Sequence, residues 1–279
     1  MNTILYSERI LSKMAVRALY FEVKAYPKPG LVSFVDAGAH HDMNGGTFYR
    51  SLFTLRHYFY QITKQGLQNE CFEQLKQIAI QAEQRMLEKT RGVNTHRGAI
   101  FALGIVCVSV IRLAQKKEQF TPVDLYQQLL NDWPRHLKNH TGNPQSHGAV
   151  VRREYKVIDA IQMAINGYDL IFKLLPEFIA LFIDTQSLDI VCLFAYSELL
   201  LHLDDTNILY KKGKHGLDYA KYSVAELLAT SCLHSRRQKA LQMHHQFSKK
   251  GISPGGVADL IAILLLLGQI FCKQFREFS

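Results

Sequence analysis

The chain has 279 residues, with 33 Lys and Arg against 24 Asp and Glu for a formal charge of +9, and 48% of it is hydrophobic. That length and apolar content support a core of its own and exclude a disordered chain. The apolar run Leu260–Gly268 falls short of the about 20 residues a spanning helix needs, so no membrane span is expected. The start, where Met1–Leu5 meets Ser7-Glu8-Arg9 at once, has no signal-peptide core. Cys71, Cys107, Cys192, Cys232 and Cys272 form no Cys-x-x-Cys pair. They predict small core residues in a reducing cytoplasm rather than disulfides or a thiolate zinc site. The basic excess suits a polyanion, whether nucleic acid, anionic membrane or a phosphorylated small molecule, and surface lysines that serve only solubility explain it equally.

In chain order, helical spacing appears first over residues 8–22, where Leu11, Ala15, Ala18 and Glu22 share one line flanked by Met14, Leu19 and Phe21. Residues 98–114 are apolar nearly all round and predict a central buried helix. Residues 188–203 and 219–232 read as two more helices, and 254–275 as a long apolar one. The polar stretch Asn139–His147 reads as a surface loop, and no repeat or linker divides the chain. These patterns predict an all-α fold: one compact multi-helix domain over residues 1–279 with central buried helices.

The segments between helices carry the unusual chemistry. Pro27-Lys28-Pro29-Gly30 forbids helix and leaves Lys28 projecting from a stiff turn. Glu22, inside the apolar stripe just before it, must be paired with a cation or protonated. It is either a structural partner of Lys28 or a positioned acid or base. In Gly92-Val93-Asn94-Thr95-His96-Arg97-Gly98, Asn94 or Thr95 is placed to cap the buried helix, with His96 and Arg97 adding charge to an anion site there. The adjacent Asp204 and Asp205 close an apolar helix, where the helix dipole disfavours them. A magnesium ion or a nearby Lys or Arg would offset that cost, unless Asp205 simply caps the next segment. In Ser253-Pro254-Gly255-Gly256, Ser253 fits an N-cap and Pro254 the first helical position, with bare amides at the two glycines: the geometry of a phosphate seat. The pairs His40-His41 and His244-His245 lack zinc-site spacing.

Together these strings resemble the triphosphoribosyl-dephospho-coenzyme-A synthase family, particularly its malonate-decarboxylase-associated branch. The resemblance rests on Glu22-Val23 through Ser33, Asp36, Gly38-Ala39-His40 and Asp42-Met43; on Gly92 through Phe101; on Ser146-His147-Gly148-Ala149; and on Asp205-Thr206-Asn207 and Ser253 through Gly256 with Ala258-Asp259-Leu260. It spans residues 20–265 in the family's order. It implies a cytoplasmic all-helical transferase that uses ATP with Mg²⁺. The 2′-hydroxyl of 3′-dephospho-coenzyme A displaces adenine from the ribose, which keeps its triphosphate. The product is the prosthetic-group precursor of a malonate (or citrate) decarboxylase or lyase acyl-carrier protein. The resemblance leaves room for a homodimer and gives no nucleic-acid or membrane partner.

On that resemblance Lys28, Asn94, His96, Arg97, Ser253, Gly255 and Gly256 are expected at the phosphates. Asp42, Asp204, Asp205 and Asp259 are expected near the metal. Glu22 and Asp36 are expected as base and cation stabiliser, in either order. One stretch departs from the family: its glycine-rich segment with an Arg and a Glu is replaced here by Tyr155-Lys156-Val157-Ile158-Asp159 up to Gly167-Tyr168-Asp169, with Arg152, Arg153 and Glu154 nearby. The altered stretch points to a substituted acceptor pocket. Two other readings stay open: an all-helical metal-dependent nucleotide phosphohydrolase with His41-Asp42 as ligands, and a basic nucleic-acid binder, which the Ser-Pro-Gly-Gly seat and the acidic pair disfavour.

Overall fold

A computed structural model describes residues 6–139 and 144–278. Among them every regular element is a helix: α1 (Glu8–Lys24), α2 (Gly45–Leu67), α3 (Phe72–Lys89), α4 (Arg97–Lys116), α5 (Pro122–Asp132), α6 (Pro134–Lys138) and α7 (His147–Tyr155). There follow α8 (Ala160–Ile165), α9 (Asp169–Thr185), α10 (Leu188–His202), α11 (Thr206–Leu228), α12 (Leu233–Lys250), α13 (Gly255–Phe271) and α14 (Lys273–Glu277). The all-α expectation holds.

Two apolar helices form the centre. Helix α13 buries Leu260–Ile270 without a break and packs against α1, α4, α9 and α10. Helix α4 buries both faces along Ala102–Ile111, as its all-round apolar sequence predicts. By length and composition alone α4 is able to cross a membrane, contrary to the expectation drawn from Leu260–Gly268, but it is mostly buried inside this fold. Burial of each Leu or Ile in these helices is worth about 1.5–3 kcal/mol. Even a polar residue of the centre is used: Gln269 on α13 accepts from Arg17 Nε at 2.7 Å and donates to the Met14 carbonyl at 3.1 Å, tying α1 to α13.

The helix expected over 219–232 is the last part of α11, which ends at Leu228 and is broken at Gly213, whose φ of 64° is non-helical. The pattern expected over 254–275 is α13 and α14, separated at Cys272. Helices α2, α3, α5, α6, α7, α8, α9 and α12 lie outside the five segments whose periodicity stands out. Helix α12 buries only Ala240, Met243, His244 and Phe247 under a basic surface, so its apolar stripe is thin. Cys107, Cys192 and Cys272 are core residues as expected; Cys71 and Cys232 are exposed, because each stands at the surface start of a helix. Of the loop expected over Asn139–His147, residues 140–143 lie outside the described residues, and His147 already belongs to α7.

Candidate active site

Helix α1 stops at Lys24 because Pro27 and Pro29 follow. The next residues fold back on themselves: Leu31 donates to the Lys28 carbonyl and Ala39 to the Gly30 carbonyl, both at 3.0 Å. Gly30 has a φ of 76°, and a Cβ there would run into the Ile252 carbonyl, so glycine lets this loop lie against the stretch of chain before α13. Glu22 is buried in the apolar stripe, as its spacing requires. Its partner is Lys28, with Nζ 3.6 Å from Oε1 and 2.7 Å from the Ala25 carbonyl. Lys28 is therefore not a projecting side chain: it is 1% exposed and turned inward to meet the buried carboxylate. Burial raises the Glu22 pKa, and the Lys28 charge opposes that shift. Asp36 remains about 40% exposed and is held by His244 Nε2 at 2.9 Å, the Gly38 amide at 2.9 Å and the Tyr26 hydroxyl at 3.4 Å.

The start of α13 gathers the other strings. Pro254, not Ser253, takes the N-cap position, and Ser253 Oγ meets His40 Nε2 at 2.9 Å instead. The cap of α13 is supplied from afar by Asp205. Its Oδ1 accepts from the Asn207 and Ile208 amides of α11 at 2.9 and 3.0 Å. Its Oδ2 accepts from the Val257 amide at 3.0 Å, and the Gly256 amide also bonds this carboxylate. One carboxylate thus caps two helix N-termini, the favourable end of both dipoles rather than the C-terminal end of α10. Desolvation outweighs these amides and pushes the Asp205 pKa up to about 6. The glycine pair is explained by the same contact: a Cβ on Gly256 would sit 3.0 Å from Asp205 Oδ2, and one on Gly255 2.8 Å from Asn207 Nδ2. The first-turn amides of α13 face a protein carboxylate where a phosphate was expected.

At the start of α4 the N-cap is His96, without a side-chain cap; Asn94 Oδ1 instead accepts from the Arg97 amide at 3.1 Å. His96 adds no charge. It is buried against Phe48 with Nδ1 2.7 Å from Ser51 Oγ, and burial lowers its pKa to about 3. The α4 N-terminus is met by Asp259, which bonds the Ala99 amide and leaves no room for a side chain on Gly98. Desolvation first, then repulsion from Glu22 and Asp205, holds the Asp259 pKa well above the usual carboxylate range. Asp259 is therefore close enough to feel both Glu22 and Asp205, and the other three strings all touch Ile252–Asp259.

Two cations, Arg97 and Lys211, and two imidazoles, His147 and His40, influence one another at the site. Arg97, half exposed, pairs with Glu83 at 2.5 Å. His147 stacks on Tyr210 with ring centres 3.7 Å apart and planes 17° apart. Its pKa is lowered by desolvation and then by Arg97 and Lys211. His40 is lowered by desolvation and then by Lys211. Tyr210 escaped the residue-level reading, and Lys211, in the basic run Lys211-Lys212-Gly213-Lys214 after the acidic pair, was given no site role by it; their position within two turns of the Asp205 cap is the signal that would have assigned them. Of the carboxylates expected near a metal, Asp204 pairs with Lys221 at 2.7 Å and Asp42 lies beside His40 Nδ1 at 3.4 Å. No three His, Cys, Asp or Glu side chains converge to hold a metal ion among the described residues, His41 and Asp42 included.

Comparison with known proteins shows the family. The family model described as ATP:dephospho-CoA triphosphoribosyl transferase matches residues 8–275. A probable 2-(5''-triphosphoribosyl)-3'-dephosphocoenzyme-A synthase of Acinetobacter calcoaceticus is 31% identical over 96% of this chain and 92% of its own. The 2-(5''-triphosphoribosyl)-3'-dephosphocoenzyme-A synthase of Pectobacterium atrosepticum is 29% identical over 94% and 89%. Protein CitXG of Haemophilus influenzae is 31% identical over 93% of this chain and 58% of its own. No solved structure matches. With a match that runs from the first turn of α1 into α14, the chain belongs to the ATP:dephospho-CoA triphosphoribosyl transferase family of enzymes.

Proposed function

We propose that the protein transfers the triphosphoribosyl group of ATP to the 2′-hydroxyl of 3′-dephospho-coenzyme A and releases adenine. The observation that carries this reading is the meeting of three separated strings with the fourth at Ile252–Asp259, close to the cations Arg97 and Lys211 and the imidazoles of His147 and His40. In the reaction the ribose C1′–N9 bond breaks, the acceptor oxygen takes its place on C1′, and the hydroxyl proton is released while adenine gains one. Asp36, partly exposed and held by His244, receives the hydroxyl proton. Glu22, buried against Lys28, positions the loop that carries Asp36, and its carboxylate favours the cationic ribose of the transition state. Arg97 and Lys211 hold the triphosphate, in place of the buried Lys28 and His96.

A magnesium ion fits the donor set in one form only. The acceptor positions of Asp205 are taken by four amides, so no all-protein cage is available. Asp259 would hold the ion together with triphosphate oxygens, the arrangement magnesium favours, and the ion would neutralise phosphate charge. Incubation with ATP, Mg²⁺ and 3′-dephospho-coenzyme A is expected to give free adenine and an acceptor heavier by one triphosphorylated pentose. Release of phosphate with adenine still attached would overturn the reading. The destination of the product, the acyl-carrier protein of a malonate decarboxylase, rests on the motif strings. Deleting the gene is expected to abolish growth on malonate and spare growth on citrate.

A further inference from the structure

Beside the Asp205 cap lies a cleft of about 90 Å³, several times the about 10–15 Å³ that holds one water. Its walls are aliphatic: Ile158 and Met163 on one side, Val257 and Leu260 of α13 on the other. Its polar lining is Thr206 with its hydroxyl, His202 with its imidazole, and the acidic residues Asp204 and Asp205. The His202 Nδ1 is engaged by the Glu198 carbonyl at 2.9 Å, which leaves Nε2 open, and the Thr206 hydroxyl has no partner among the described residues. Ile158 is 51% exposed where it lines the cleft.

The two residues of the first wall come from the stretch 155–169 that departs from the family pattern. That stretch is locally fixed rather than loose. Asp159 caps α8 through the Gln162 amide at 2.9 Å and pairs with Arg152 at 3.0 Å. Tyr168 closes it, buried below α9. Ile158 and Met163 are therefore held at the mouth of the cleft by their own neighbours.

We infer that this cleft is the seat of an adenine ring, with Ile158 and Met163 as the residues that set its fit. Flat apolar faces with hydrogen-bonding groups only at the edge match aliphatic walls beside a polar lining, and a thioether is a favourable neighbour for an aromatic ring. The inference rests on the proposed reaction, in which both substrates carry adenine: the base that leaves ATP and the base that stays on the acceptor. The shared ring is what the cleft recognises, and the experiment separates its two sources.

The test compares wild type with Ile158→Trp, which fills the cleft, and Thr206→Val, which removes the lining hydroxyl and keeps its shape. KM is measured for ATP and for 3′-dephospho-coenzyme A separately, and adenosine binding by equilibrium dialysis. The expected result is a rise of about tenfold or more in KM for one substrate in Ile158→Trp, a smaller rise for the same substrate in Thr206→Val, and weaker adenosine binding in both. The affected substrate names the source. If both KM values and adenosine binding stay within about twofold of wild type in both variants, the inference is overturned. If wild type makes no triphosphoribosyl product yet the variants still lose adenosine, the cleft assignment stands and the proposed reaction falls. Thr206→Val is nearly isosteric, so it decides the matter if the Trp variant does not fold.

Discussion

The inner layer of the site and its outer rim are built by opposite rules. Inside, the charges are buried and fully engaged: Glu22 with Lys28, Asp205 with four amides, Asp259 with the N-terminus of α4. Outside, Arg97, His147 and Lys211 are exposed, and the partners of the first two, Glu83 and Tyr210, stand in the same surface. The contrast teaches that the buried members of the motif strings build the frame, and that an anion is left to the exposed ones, Arg97 and His147, with Lys211 within two turns of Asp205. A buried charge removed leaves its partner uncompensated, whereas a rim charge removed leaves only solvent.

The sharpest break of this contrast is Asp205→Ala. Loss of the cap with amides of two helices left unsatisfied is expected to cost about 2–4 kcal/mol, read as a lower urea midpoint. A change as small as that of a surface residue would make Asp205 a ligand site rather than a clasp. Next is Gly98→Ala. A helical Gly→Ala change ordinarily gains up to about 1 kcal/mol; here the new methyl meets the Asp259 carboxylate, and a loss of about 1–3 kcal/mol is expected in thermal unfolding.

His96 gives a test by pH. Its folded pKa of about 3 lies below the ordinary 6.5, so the unfolded chain takes up the proton first and stability is lost as pH falls through that window. From pH 7 to pH 5 the wild type is expected to lose about 2 kcal/mol more than His96→Gln, measured by urea unfolding at each pH. The rim is tested by Lys211→Ala, which is expected to raise KM for ATP about tenfold, the value of a charge-assisted contact, with an unchanged melting temperature. The smallest effect belongs to Lys221→Ala, which removes the half-exposed partner of Asp204 and is expected to shift stability by no more than about 0.5 kcal/mol.

Much of the frame is legible in the sequence because it is written in apolar spacing. The stripe of α1 with Glu22 in it, and the all-round apolar α4 and α13, stand in the structure where their periodicity puts them. Helix α12 is not legible because four buried side chains in eighteen residues are too few for a stripe. At the site, the strings pointed to the right places and misassigned several atoms. Free amides after Ser253 look like a phosphate seat only while Asp205 is out of view, and nothing local announces a cap 52 residues away. Lys28 shows the same limit: a lysine between two prolines reads as projecting until Glu22, buried near the end of α1, is known to face it.

The clasp made by Asp205 has a consequence for how the enzyme is made. Joining the first turns of α11 and α13 across 52 residues closes a loop that must be paid for in chain entropy before the contact returns anything. A nascent chain that has released α11 but not yet α13 holds Asp205 with only one of the two helices it caps. The inner layer of the site is thereby completed only when α13 has been made.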